Sequence, residues 1–369
     1  LLTALFFGFF IFSTLIQLVY WLFVFLRFAV YKVEGAAPLS YPSVSVIVCA
    51  HNEEENLRKF LPRLLQQNYP DYEVIVVNDN SSDRSLDVLL DIRNIYPNLR
   101  VRNLNYAKSR QSGKKFALEK GVHFAKNNVL LLTDADCFPA SEHWIASMVK
   151  ALEEDTEVVL GYGPYCAKKG WLNKWIRFET VFTAVQYFSF ALLGIPYMGV
   201  GRNLLYRKNL FLEQEGFNEH IDLASGDDDL FINAVATREN TRLALHPDAF
   251  TYSLPKETWK QYYRQKSRHV TTGLRYKWFH VILLGAYSGT HFVHYFAGIL
   301  LLCFNVSPVS VVLLYALRLL TMWVILNQIF QKFQEPGLKG WVPAFDAMYI
   351  SYYILFFPNL LLKNLNYWK

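Results

Sequence analysis

Two clusters of carboxylates in this chain have spacings suited to chemistry on an anionic ligand. Asp134-Ala135-Asp136 closes an apolar run, Val129–Thr133. Two carboxylates there can share a hard divalent cation with phosphate oxygens, and such a cation neutralises charge building on a departing diphosphate. Ser225-Gly226-Asp227-Asp228-Asp229-Leu230 offers a carboxylate base. A base of this kind takes a proton from an attacking hydroxyl, and close geometry matters more than a near-neutral pKa. A third group, Ala50-His51-Asn52-Glu53 with Asp79, follows two β-branched runs. Basic residues complement these acids: Ser112-Gly113-Lys114-Lys115 opens a helical stretch, where an N-terminus favours phosphate, and Gln265-Lys266-Ser267-Arg268-His269 supplies an arginine. Plain structural roles compete at every one of these positions: strand-end turns, helix caps, a solvated acidic turn and an interfacial Lys/Arg cluster.

The elements that must carry these residues alternate. Val44–Cys49 reads as a strand and is followed by a helix, with Leu57, Leu61 and Leu64 at helical spacing. Asn52 is placed to cap that helix, Glu53–Glu55 favour its positive end, and Asn68–Asp71 stops it. Glu73–Val77 is the next strand, with Asn80 and Asp83 in the turn after it. Ser85–Ile95 and Lys114–Phe124 read as helices, and Val101–Leu104 and Val129–Thr133 as strands. Such alternation predicts an α/β domain with a Rossmann-like, mostly parallel sheet covered by helices. Ligands in these sheets sit at the carboxyl ends of the strands. His51–Glu53, Asp79 and Asp134–Asp136 all fall there, so independent placements converge on one site.

Composition adds a membrane. Hydrophobic residues make up 53% of the 369 and charged residues 18%, against about 25% charged in soluble proteins. The excess is segmental, because Leu1–Leu26 and Val281–Leu317 contain no Asp, Glu, Lys or Arg. Leu1–Leu26 is long enough to span a bilayer. It lacks the small-residue cleavage site of a signal peptide, so a retained anchor is expected. Further spans are expected at about His280–Leu302, Val309–Phe330 and Ala347–Leu362. Trp171–Pro196 contains Arg177 and Glu179 and reads as an interfacial helix or a core helix on the membrane side. The predicted organisation is a transmembrane helix over 1–30, a cytoplasmic domain over 41–273 with interfacial helices near 171–196 and 256–275, and a membrane region of about three helices over 280–364.

The net charge of +6 does not imply nucleic acid, which needs a basic patch with aromatic platforms. Here the basic residues lie beside apolar spans and inside the catalytic-looking core, facing anionic lipid or a diphosphate. Arg27, Lys32, Lys332 and Lys339 put the central domain and the 331–343 loop in the cytoplasm. Arg318, near the middle of the third expected span, is costly unless paired or hydrated, which makes it either functional or a partner of an acid near the membrane. The four cysteines form no metal-site spacing and read as buried thiols.

Taken together, these motifs resemble those of the membrane-bound family 2 glycosyltransferases, over about Val44–Gly273. The resemblance implies the inverting GT-A fold, a nucleotide-sugar donor with UDP preferred, and Mg2+ or Mn2+. It implies that Asp136 contacts the metal and that Asp134 lies near the donor sugar and ribose. Backbone groups of Ala50 and His51 would meet the base, Glu53 and Asp79 would accept from uracil or ribose, and Lys114 would meet donor phosphate or ribose. The acidic run stands where the family has Glu-Asp, which makes Asp228 the base, or Asp227 in the other register, with Asp229 capping or orienting. Gln265-Lys266-Ser267-Arg268-His269 resembles the family's QxxRW. Gln265 serves the acceptor side and Arg268 the diphosphate, with Arg264 a second possible phosphate contact. His269 replaces the tryptophan, a departure that weakens the case for a long polymer stacked on that ring. Gly201-Arg202-Asn203 and Gly216-Phe217 resemble segments that shape the acceptor end. The implied reaction moves a sugar to a membrane lipid or lipid-linked glycan. Processive polysaccharide synthesis is one alternative, and a catalytically silent membrane binder of sugar nucleotides or glycans is another.

Overall fold

The computed structural model describes residues 2–32, 41–105, 113–221, 223 and 225–361. Seven strands form one sheet: β1 (Val44–Ala50), β2 (Tyr72–Asp79), β3 (Leu99–Leu104), β4 (Val129–Asp134), β6 (Val158–Gly161), β7 (Leu204–Arg207) and β8 (Thr241–Ala244). Their order is β3-β2-β1-β4-β7-β6-β8. The first four are parallel. β7 then enters antiparallel between β4 and β6. β5 (Cys137–Pro139) and β9 (Thr251–Ser253) make a separate antiparallel ribbon directly after the Asp134–Asp136 turn.

Helices cover both faces, as expected for strands that are nearly continuous apolar runs. Before the sheet, α1 (Leu2–Val19) continues through a π-helical stretch, Tyr20–Phe25, into α2 (Leu26–Val30). One sheet face packs Val46, Val48 and Val76 against α3 (Glu54–Leu65), α4 (Ser85–Ile95) and α6 (Trp144–Val149). The other packs Ile47, Ile75 and Leu132 against α5 (Lys114–Phe124) and, through the same apolar cluster, α7 (Trp171–Leu192). α7 is buried over most of its length and is therefore a core helix. Its aromatic rings meet Phe330, Phe345 and Phe333 of the C-terminal region. The chain then runs through α8 (Lys208–Glu213), α9 (Asp229–Val235) and α10 (Trp259–His269).

α1 and the last three helices, α11 (Trp278–Cys303), α12 (Pro308–Lys332) and α13 (Val342–Leu361), form a bundle. Its outer surface is apolar, with Phe12, Phe23, Ile299, Leu313, Leu320 and Ile354 exposed, while Gln17, His291, His294, Arg318 and Asp346 are buried inside. Polar inside and greasy outside is the pattern a bilayer imposes. Among the described residues, two helices are long and apolar enough to cross a membrane, Thr3–Val30 and Pro308–Lys332. α11 and α13 occupy the other two expected stretches and carry the buried histidines and Asp346. Ser112 and Leu362 lie outside the described residues.

Candidate active site

β1 lies between β2 and β4, and its register brings the three strand-end motifs together. Cys49 pairs with Asp134, and Ala50 pairs with Asn78, one residue before Asp79. His51 leaves the end of β1, and its Nδ1 lies 2.6 Å from the Asp79 carbonyl oxygen. Asp79 is buried. Glu53 holds the N-cap position of α3, and its carboxylate accepts from the Asn56 side chain. The expected cap, Asn52, adopts a left-handed φ of 56°. Its Oδ1 accepts the Ser82 amide at 2.7 Å. Asn52 therefore pins the Asn80–Asp83 turn, and the turn returns Asp83 to accept the Glu54 amide at 3.1 Å.

Asp134-Ala135-Asp136 turns the chain from β4 into β5. One ligand atom each from Asp134, Asp136 and Cys137 lies within 4.8 Å of the others. Hard divalent cations prefer the carboxylate oxygens to sulfur, and burial pushes the Cys137 thiol up, keeping it protonated. The two carboxylates thus fit a Mg2+ or Mn2+ ion, with the thiol beside them as packing.

Lys114 ties this turn to the acidic run. It begins α5 immediately after Gly113, whose φ of 111° suits only glycine. Its Nζ lies 2.9 Å from Asp134 Oδ1 and 2.9 Å from Asp227 Oδ2. Burial alone would lower the lysine pKa, yet Asp134, Asp227 and Asp228 hold it well above the usual value. Lys114, Cys49, Asp134, Gly201, Asp227 and Asp228 line one narrow cleft.

The three consecutive aspartates have different surroundings. Burial opposes ionisation of Asp227, but Lys114 and the more distant Arg268 hold its carboxyl below the usual range. Asp228 accepts the Gly201 amide at 2.6 Å and the Asp229 amide at 2.8 Å, capping α9. Burial first, then Asp227 and Asp229, push its pKa up to about 7. Glycine is needed at 201, where an added Cβ would stand 3.2 Å from Asp228 Oδ2. Asp229 accepts the Leu230 amide at 2.8 Å, the Tyr276 hydroxyl at 2.7 Å and the Thr272 hydroxyl. Its carboxylate is committed to holding the 3-10 turn that follows α10.

α10 supplies Gln265, Arg268 and His269. Gln265 donates to the Tyr165 hydroxyl at 3.2 Å, and the Arg202 guanidinium lies over the Tyr165 ring at 4.4 Å. Lys266 pairs with Glu179 of α7 at 2.6 Å. His269 is exposed, so it is no packed substitute for a tryptophan. Asn203 is buried and clamps the region, accepting from Trp144 and donating to the Tyr162 and Ala249 carbonyls. Sequence reasoning missed Thr272, Tyr276 and Tyr165. Their only signal was nearness to motifs, in the case of Thr272 three residues beyond His269.

A mixed sheet flanked by helices, with acidic turns at its carboxyl edge, is an architecture of GT-A-like fold. Residues 45–213 match the family described as Glycosyl transferase family 2. It is 28% identical over 239 residues to the probable glycosyltransferase YdaM of Bacillus subtilis, covering 62% of this chain and 54% of the relative. It is 33% identical over 105 residues to the beta-monoglucosyldiacylglycerol synthase of Trichormus variabilis, 28% of this chain and 22% of that protein. The chain spans about half the length of YdaM and of other curated relatives it matches. The mannosyltransferase PcManGT from Pyrobaculum calidifontis, solved with GDP-Man and Mn2+, superposes with a TM-score of 0.62 at 18% identity, covering 94% of this chain and 98% of its own. At that identity the likeness concerns the fold.

Proposed function

We propose that this protein is a metal-assisted, inverting glycosyltransferase. It moves a sugar from a nucleotide-sugar donor to a membrane lipid or lipid-linked glycan, with its catalytic domain on the cytoplasmic face. One observation carries the reading: Lys114 sits 2.9 Å from both Asp134 and Asp227, so the cation-binding turn and the acidic run, far apart in sequence, face one cleft. A family relative that makes beta-monoglucosyldiacylglycerol supports a lipid acceptor.

In this reading Asp136 and Asp134 hold Mg2+ or Mn2+, which supplies charge neutralisation for the leaving diphosphate. Ala50, His51, Glu53 and Asp79 cradle the nucleoside at the ends of β1 and β2. Lys114 exchanges part of its pairing with Asp134 for donor phosphate, and Arg268 offers a second positive charge. Asp228 takes the proton from the acceptor hydroxyl while that oxygen bonds to the anomeric carbon. The bond from that carbon to the diphosphate oxygen breaks, and its electron pair leaves with the nucleoside diphosphate. Attack opposite the leaving group inverts the configuration, giving a β-linkage from an α-linked donor. Asp227, held ionised by Lys114, is the weaker base. Asp229 orients the turn that holds the acceptor side, where Gln265 and His269 lie.

The test is incubation of purified protein with membrane lipid extract, Mn2+ or Mg2+, and radiolabelled UDP- and GDP-sugars. A discrete organic-soluble labelled product is expected. A high-mass ladder would favour processive synthesis, and nucleotide binding without transfer to any acceptor would favour the silent binder. A product with retained configuration overturns the single-displacement mechanism.

A further inference from the structure

The helix bundle contains a polar network outside the transfer site. Arg318 of α12 is 1% exposed and Asp346 of α13 is 1% exposed. The guanidinium grips both carboxylate oxygens, Nη2 reaching Oδ1 at 3.1 Å. Its Nη2 also donates to Gln17 Oε1 of α1 at 3.0 Å. Asp346 further accepts the Tyr295 hydroxyl at 2.8 Å, and His291 Nε2 lies 3.1 Å from it, both from α11. Each of the four helices thus contributes to one network. A buried charge pair is best attested as a device that fixes register, and in a bilayer a polar residue without such partners is costly.

The far end of α13 touches the site. Thirteen residues beyond Asp346, about 20 Å along a helix, Asn359 donates to Ser267 Oγ of α10 at 2.9 Å, with both residues 5% exposed. Phe356 stacks on Tyr263 of α10 with ring centroids 5.3 Å apart. Leu360 packs against Gly273, where an added Cβ would stand 3.3 Å from it. Ser267 lies between Gln265 and Arg268, and the turn after α10 delivers Thr272 and Tyr276 to Asp229, next to Asp228.

We infer that Arg318 and Asp346 are positioning residues for transfer: they set the height and rotation of α13, and Asn359 passes that setting to α10 and its acceptor-side groups. The inference rests on the reading that α10 serves the transfer site.

Replacing Asp346 with Asn (D346N) breaks the pair. Transfer from the labelled UDP- or GDP-sugar, with Mn2+ and lipid extract, is expected to lose about tenfold or more in kcat, with the donor KM unchanged. A merely structural role would lower yield and Tm but leave kcat per folded molecule alone. Joining Ser267→Cys to Asn359→Cys by oxidation should restore kcat in the D346N background, and reductant should reverse the recovery. Cross-linking yield, read on a gel without any turnover, should fall in D346N against the same cysteine pair with Asp346 intact. Equal yields overturn the link itself. A fallen yield with native kcat overturns the service of α10 to the site and leaves the link standing. Should D346N fail to fold, Asn359→Leu at the helix end is expected to show the same kcat loss, and native kcat there overturns the inference.

Discussion

Asp228 carries the sharpest residue-scale expectation. Burial and its neighbours Asp227 and Asp229 raise its carboxyl from 3.8 to about 7, against the pull of Lys114 and the Gly201 amide. A base must be ionised, so kcat/KM is expected to rise with pH through about 7 and flatten above it. An acid limb near pH 4 would remove Asp228 from the role. The stability sign follows from the same shift. The folded pKa lies above the unfolded one, so the contribution is full below the unfolded value and lost as pH rises through the folded one. In the proposed role this carboxylate works in the pH range where it weakens the fold, which fits strain tolerated at a functional centre. Asp228→Asn is expected to cut transfer about 100- to 10,000-fold while donor affinity, measured by calorimetry with Mn2+, stays unchanged. Native turnover in both Asp228→Asn and Asp227→Asn would sink the base assignment. Asp136→Ala should behave oppositely, losing the Mn2+ dependence of UDP or GDP binding in the same calorimeter.

At the scale of elements, legibility followed burial. β1, β2 and β4 were readable because strands buried on both faces are nearly unbroken apolar runs, and α4 and α5 run between the expected limits. β6, β7 and β8 were not, since four-residue strands inside an apolar-rich region have no period to distinguish them. The antiparallel entry of β7 between β4 and β6 is a tertiary choice that local sequence does not encode. The site was legible wherever a motif stood at a strand end. The base was ambiguous between Asp227 and Asp228 because adjacent aspartates look alike in sequence, whereas Asp229, expected to cap or orient, accepts from Thr272 and Tyr276. α7 shows why charge inside an apolar run can mislead: Glu179 serves Lys266, and Arg177 pairs with Glu335 of the segment joining α12 to α13. Glu335 is only 4% exposed, so Arg177→Met should strand a buried carboxylate and destabilise by about 3–5 kcal/mol. Thermal unfolding in detergent checks this, and Arg177→Met with Glu335→Leu should recover most of the loss. An unchanged Tm in the single variant would mean that the pair does not dock α7 on that segment.

The whole molecule is organised by where water is excluded. The sheet domain buries its apolar residues, whereas the bundle buries Arg318, Asp346 and His291 and exposes Phe12, Phe23 and Leu313. One surface suits water and the other lipid. α11 leaves the domain at Trp278 and runs 26 residues to Cys303, about 39 Å, which exceeds the roughly 30 Å hydrocarbon thickness of a bilayer. Lys332 lies at the opposite end of α12 from the Asn305–Ser307 link, and its ammonium caps the carbonyl of Phe28 at 2.9 Å, bringing that end beside Arg27. The basic residues therefore gather on the domain side, and the uncharged link between α11 and α12 lies on the other. In the proposed orientation, which puts the basic side in the cytoplasm, Cys303, which is exposed at the end of α11, should react with a membrane-impermeant maleimide in intact cells. Cys303→Ser should abolish that labelling, and Cys166, in the sheet domain, should label only after the membrane is opened. Labelling of Cys303 solely in permeabilised cells would invert the orientation and put the nucleotide-sugar cleft outside, away from the cytoplasmic donor pool that the proposed reaction needs.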